Sequence, residues 1–271
     1  MRTVRGRVFA NQEAYLPVLV AIPVHNERKY VARVLRKVRQ FHEQILFIDD
    51  ASSDGTGEFL QKQSGIHLVR HATNQGYGRA IIDSFDYAHR NGFDWVITMD
   101  CDEQHEPEMI PAFLKQIATD QWDLISGSRY TDLSRLDDLA PGDRRLINQT
   151  ITAVINDLFD WHLTDTFCGF KAHRVSATLP LMLDEAGYAF PLQLWPRVYE
   201  AQLRVRELPV KRIYNDPTRV FGGNLDDANE RLRHYMEVLK RELLRIQHPS
   251  AECMDHVTLD EPTASACCGC R

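Results

Sequence analysis

The chain has 271 residues, 44% of them hydrophobic, and a formal charge of −6. That is enough apolar content for one large α/β core or two modest ones, and it is not the composition of a disordered chain. The acidic balance excludes a general nucleic-acid binder, which needs clustered basic surface to displace counterions from phosphates.

The N-terminal MRTVRGRVFANQEAYLP lacks the unbroken apolar core of a secretory signal, and no apolar run approaches the ~20 residues that span a bilayer, so a cytoplasmic protein is expected. From Leu16, LPVLVAIPV is an apolar run suited to a strand buried on both faces. NERKYVARVLRKVRQF then places Tyr30, Val31, Val34, Leu35, Val38 and Phe41 on one helical face. The unit recurs as ILFIDD with DGTGEFLQKQ, HLVRHA with GRAIIDSFDYAHRNG, and WVITMD with PEMIPAFLKQI, and it closes on WDLISGSRY. Strands alternating with helices predict an α/β fold with a mostly parallel central sheet and helices on both faces.

After Tyr130 the alternation weakens. LINQTITAVINDLFDW carries a broad apolar face of Ile147, Ile151, Val154, Ile155, Leu158 and Phe159, which fits either the core or a membrane surface. YAFPLQLWPRVYEAQ reads as a second apolar helix, RVRELPVKRI as a strand, and residues 226–246 as a long charged helix. Without an internal repeat or an earlier linker, residues 1–247 are expected to form one domain and 248–271 a flexible, cysteine-containing tail. Cys101 and Cys168 lie singly in the body, while Cys253, Cys267, Cys268 and Cys270 sit in that tail, which is not a disulfide framework.

In parallel α/β sheets, ligands bind beyond the carboxyl ends of the strands. The polar clusters PVHNE, DDASSDGT, TNQGYGR, DCDEQHE and GSRY all fall there. Asp100 and Asp102 crowd two carboxylates at one strand end, where they repel unless a positive charge joins them. A hard divalent cation fits: it takes oxygen ligands, Gln104 adds a carbonyl, and a diphosphate fills the remaining positions. Glu106 and Glu108 read as ordinary helix-start carboxylates, Asp54 as a turn residue and Thr56 as a cap. Asp49 and Asp50 offer acceptors for the N–H edge of a nucleobase or the hydroxyls of a ribose, and Asn26 and Glu27 are either site residues or helix-start residues.

AIPVHNE, FIDDASSDGT, NQGYGRA, MDCDEQHEPE and SGSRY, in that order, resemble family 2 glycosyltransferases of the GT-A (Rossmann-like) fold, in particular the dolichol/polyprenol-phosphate mannose synthase group, over about residues 18–223. The resemblance implies that Pro23, Asn26 and Glu27 help hold the nucleotide and that Asp50, with Asp49, reads the base or ribose. It implies that Asp100, Asp102 and Gln104 bind Mg²⁺ or Mn²⁺ with the diphosphate. Arg129, and Arg144 or Arg145 with Arg145 preferred, match arginines that meet donor or acceptor phosphates. Asp165, Gly169 and Phe170 match a D-x-T-S-G-F block near the acceptor, and Arg219 with Gly222 a late R-x-x-G. The chain departs from the pattern at Cys168 for serine, His25 for tyrosine, and RVFGGNL without the usual serine and lysine.

The implied activity is inverting transfer of a hexose, mannose first, from GDP-mannose or UDP-glucose to a polyprenyl phosphate, by an enzyme peripheral at the cytoplasmic membrane face. Asp102 and Arg129 would serve the leaving diphosphate, and Asp165 would be the base if the acceptor were a sugar hydroxyl. Two rivals stand beside it. A phosphohydrolase of the haloacid dehalogenase type also uses D-x-D, but here Glu103 and Gln104 follow the pair and Asp49 and Asp50 precede it. A nucleotide-sugar-binding protein without transfer activity draws on the altered RVFGGNL and Cys168.

Overall fold

The computed structural model describes residues 17–131, 142–211, 213 and 223–251. Its first half repeats the expected unit: β1 (Val18–Val24), α1 (Val31–Val38), β2 (Ile45–Asp49), α2 (Thr56–Gln61), β3 (His67–Arg70), α3 (Tyr77–Arg90), β4 (Trp95–Thr98), α4 (Ile110–Ile117) and β5 (Leu124–Ser128). There follow α5 (Gly142–Phe159), β6 (Lys171–Arg174), a single turn α6 (Val175–Thr178), α7 (Phe190–Glu200), β7 (Val205–Pro209) and α8 (Ala228–Arg245).

Alternation along β1 sends Leu19 and Ala21 to one face of the sheet and Val18, Val20 and Ile22 to the other. The first face packs beneath α3, α5, α7 and α8, and the second beneath α1, α2 and α4. Ile147, Ile151, Val154, Ile155 and Phe159 of α5 are buried in the first of these cores, so that apolar face is core. Among the described residues no helix is long and apolar enough to cross a membrane.

The strands run in the order β3-β2-β1-β4-β6-β5-β7. β1, β2, β3 and β4 pair in parallel, as do β5 and β7, while β6 runs antiparallel between β4 and β5. The alternating pattern does not anticipate β6, because Lys171-Ala172-His173-Arg174 reads as surface. Both Lys171 and His173 are nevertheless buried. Burial pulls the Lys171 ammonium below its usual range, and Nζ donates to the Cys168 carbonyl and lies 5.4 Å from the centroid of the Trp195 ring. The charged helix begins where Asp227 accepts from the Asn229 and Glu230 amides, both at 2.9 Å.

α3 enters the site through a close backbone approach. Arg79 N–H donates to the Ala186 carbonyl at 3.1 Å, and a Cβ on Gly78 would lie 2.2 Å from the Glu185 carbonyl oxygen. Loop 184–188 cannot retreat easily, because buried Gln193 on α7 accepts from the Asp184 and Glu185 amides and donates to Asp184 and to buried Glu242 of α8. Gly78→Ala is therefore expected to lower stability by about 1–3 kcal/mol in urea denaturation, and an unchanged midpoint would contradict this packing.

Candidate active site

A cleft of about 550 Å³ opens at the carboxyl ends of β1, β2, β4 and β5. Three of the non-glycine residues with positive φ, Asn26 (59°), Ala51 (57°) and Glu103 (62°), sit in the loops that leave β1, β2 and β4 beside it. Backbone in this region costs energy and persists where surrounding contacts enforce it. At Asn26 those contacts are explicit: Oδ1 accepts from Ser53 N–H at 2.8 Å, and the Asn26 amide donates to Ser52 Oγ at 2.9 Å.

Pro23, Glu27, Asp50, Asp100, Asp102, Gln104 and Arg129 all line the cleft, so the sequence-predicted residues largely converge. Asn26 does not line it and instead staples two loops. Asp49 does not line it either: its side chain is fully buried, with Arg70 Nε donating at 2.8 Å and Ser52 N–H at 3.0 Å. The preference for Arg145 is corrected to Arg144. Arg144 precedes Ile147, Asn148 and Ile151 by three, four and seven positions and shares their inward face, whereas Arg145 is exposed outside the cleft. Arg219 lies outside the described residues, as do Gly222 and the cysteines of the tail.

Asp100 and Asp102 face the cleft with Gln104, an all-oxygen donor set suited to a hard cation. A Cβ on Gly169 would lie 2.8 Å from both Asp100 Oδ2 and the Tyr77 hydroxyl, so only glycine leaves that carboxylate room. Among the described residues no three His, Cys, Asp or Glu groups form a metal cluster. Two carboxylates and an amide oxygen are what a site completed by water and diphosphate oxygens provides. The loop is fixed internally. Asp100 N–H donates to His105 Nδ1 at 2.9 Å, and burial pushes that imidazole down to about 4, so it stays neutral and accepts. The His105 ring stacks on Phe170, and Phe170 on Phe113. Glu103 pairs with Arg33 and Lys37 of α1, and Glu106 pairs with Lys211.

Asp165, the base candidate for the case of a sugar-hydroxyl acceptor, is held entirely by the protein. Its side chain is fully buried. Oδ2 accepts from Arg129 Nε at 2.6 Å and Arg129 N–H at 3.1 Å. Oδ1 accepts from Arg129 Nη2, Asn148 Nδ2 and the amides of Phe167 and Cys168 at 2.9–3.1 Å. Burial raises its pKa, but the Arg129 charge and the hydrogen bonds of Arg129 and Asn148 outweigh it and pull the carboxyl down to about 2. A carboxylate so acidic and so fully engaged takes no proton from a substrate; it aims Arg129 into the cleft. Cys168 is buried and its thiol is pushed up to about 11 by burial, so it is not a nucleophile.

Several lining residues went unassigned in the sequence. Tyr77 donates to Asp100 Oδ1 at 3.0 Å and stacks on Tyr188 at 5.7 Å. Burial and then Asp100 push its phenol well above the usual range, which keeps it a donor. Arg231 and Tyr235 of α8 complete the far wall with Phe167, Tyr188 and Ile147. Arg231 donates to the Leu225 carbonyl at 2.6 Å and to Asp143, the residue before Arg144. The i, i+4 spacing of Arg231 and Tyr235 on a charged helix was the available signal.

Against known proteins, the family model described as "Glycosyl transferase family 2" matches residues 19–179. The chain belongs to this family. As a family 2 glycosyltransferase it is 28% identical over 222 residues to an undecaprenyl-phosphate mannosyltransferase of Micrococcus luteus, covering 78% of this chain and 90% of that protein. It is 29% identical over 224 residues to a polyprenol monophosphomannose synthase of Mycolicibacterium smegmatis, covering 78% and 83%. A crystal structure of glucosyl-3-phosphoglycerate synthase from Mycobacterium tuberculosis, in complex with Mn²⁺, UDP and phosphoglyceric acid, superposes with a TM-score of 0.65 at 17% identity, covering 88% of this chain and 81% of that one. The glycosyltransferase has the GT-A fold, and the phosphohydrolase reading falls.

The Arg129–Asp165 pair carries a pH prediction. A carboxyl lowered from 3.8 to about 2 by folding contributes stability that is whole above its unfolded value and is lost as pH falls through about 2. That contribution is of order 2 kcal/mol. Urea midpoints measured from about pH 5 downward should fall less steeply for Asp165→Asn than for the native protein; parallel acid limbs would contradict the pairing.

Proposed function

We propose that this family 2 glycosyltransferase moves a hexose, mannose before glucose, from a nucleotide diphosphate sugar to a polyprenyl phosphate with inversion at the anomeric carbon. The observation that carries the reading is that Arg129 and Arg144 share one cleft with Asp100, Asp102 and Gln104, beside a wall of Ile147, Phe167, Tyr188 and Tyr235. That combination offers charge for two phosphate groups and apolar surface for a chain attached to one of them. The names of the mannosyltransferase relatives, both prenyl-phosphate enzymes, support the acceptor and the sugar.

Pro23, Glu27 and Asp50 would hold the nucleoside end of GDP-mannose or UDP-glucose. Asp100, Asp102 and Gln104 would hold Mg²⁺ or Mn²⁺, and the ion would supply positive charge against the diphosphate. The Mn²⁺ and UDP of the M. tuberculosis synthase support a cation and a nucleotide diphosphate in this fold. Arg129, held in line by Asp165, neutralises charge that grows on the diphosphate as the anomeric C–O bond breaks. A phosphate oxygen of the acceptor, already anionic at neutral pH, forms the new bond from the opposite side. The diphosphate leaves with the electron pair. No proton has to be removed, which agrees with a site whose candidate base is spent on Arg129. Access to a prenyl acceptor makes peripheral membrane contact at the cytoplasmic face part of the proposal.

The test is transfer of radiolabel from GDP-mannose or UDP-glucose into an organic-phase product with polyprenyl phosphate and Mg²⁺ or Mn²⁺. Label is expected to move, and to be abolished by chelation and by Asp102→Asn. Metal-dependent donor hydrolysis without organic-phase label would move the acceptor to a hydroxyl.

A second measurement separates the arginines. Arg144→Ala is expected to raise the acceptor KM about tenfold, the scale of one charge-assisted contact. Arg145→Ala should stay within about twofold. The reverse order would remove Arg144 from the site.

A further inference from the structure

The inference rests on the donor-binding reading of Asp50 and names the residue that prepares it. Asp50 Oδ1 accepts from the Gln75 amide at 2.7 Å and faces His71 Nδ1 at 2.7 Å, and Oδ2 accepts from the Gly76 amide at 2.8 Å. A carboxylate offers about four acceptor positions. Among the described residues, Oδ1 therefore meets two partners and Oδ2 one, so Oδ2 is the less engaged oxygen.

The His71 side chain is 6% exposed, and its ring does not end at Asp50: Nε2 lies 2.8 Å from Asp83 Oδ2, and Asp83 pairs in turn with Arg79. The backbone of His71 is tied as well, its amide donating to the Asp49 carbonyl at 2.9 Å. Asp50, His71, Asp83 and Arg79 thus form a line from the cleft to α3. That helix also carries Tyr77, whose hydroxyl meets Asp100. The Gly76 amide at the entry to α3 donates to Asp50 directly, so the start of one helix meets both Asp50 and Asp100.

We propose that His71 is the positioning residue for the nucleoside end of the donor. It locks Asp50 so that Oδ2, the less engaged oxygen, is turned to an N–H or O–H group of the nucleoside. A residue that merely clipped β3 to α3 would need its Asp83 side as much as its Asp50 side. Positioning of the donor needs the Asp50 side.

Conservative substitutions separate the two sides. Asparagine places its amide nitrogen near the site of Nδ1, and glutamine near that of Nε2. GDP and UDP, each with Mn²⁺, are titrated calorimetrically into the full-length native protein, His71→Asn and His71→Gln, with melting temperatures recorded beside. For the nucleotide that the native protein binds, His71→Asn is expected to stay within about twofold and His71→Gln to weaken binding about tenfold, with similar melting temperatures. Equal weakening, or none with glutamine, overturns the inference and leaves the donor site standing. Binding of neither nucleotide to the native protein overturns the donor-site reading and this inference together. Asp83→Asn, which leaves the Asp50 side intact, keeps the test decisive if His71→Gln does not fold. Binding within about twofold is then expected, and a tenfold loss overturns the inference.

Discussion

Negative charge at the carboxyl edge of the sheet has to be matched by donors, and the way it is matched organises the molecule. Asp165 is met by Arg129, Asn148 and the amides of Phe167 and Cys168, all inside the protein. Glu207 of β7, raised in pKa by burial, accepts from the amides of Thr164 and Asp165, which holds the same loop from the other side. With those carboxylates internally satisfied, the guanidinium of Arg129 is pinned at the end of β5 and its position no longer depends on solvent. Glu27, Asp50, Asp100 and Asp102 are acids that line the cleft. The cleft therefore brings carboxylates and arginines together at the strand ends.

The second determinant is the way the C-terminal helices close the cleft. α7 and α8 are joined by Glu242, which accepts from Gln193, Arg197, Arg241 and Arg245. Gln193 in turn holds loop 184–188, whose Tyr188 stacks on Tyr77. Apart from that ring stack, each link is a hydrogen bond to a buried carboxylate or amide, so losing one leaves an uncompensated partner. The far wall is therefore as fixed as the strand ends opposite it. This explains how residues beyond the matched family region, Arg231 and Tyr235 among them, come to line the site.

The sequence by itself determined the strand ends and hence most of the site. Apolar runs mark where strands stop, and in a parallel sheet those stops share an edge, so Asp50, Asp100, Asp102, Gln104 and Arg129 were legible without coordinates. Periodicity also placed the apolar face of α5. Tertiary structure alone decided the rest, because it depends on which neighbour a side chain meets. β6 was hidden because four residues with lysine, histidine and arginine carry no strand signal until β4 and β5 flank them on both sides. Asp49 and Asp50 are adjacent and chemically identical, yet Arg70 draws one inward while the loop amides hold the other at the cleft. Asp165 was a base candidate only for a sugar-hydroxyl acceptor, on the strength of the family resemblance, and the six donors that converge on it from three segments lie beyond any local pattern. Local pattern fixes where a residue stands along its element; the charge it must answer comes from residues far away in the chain.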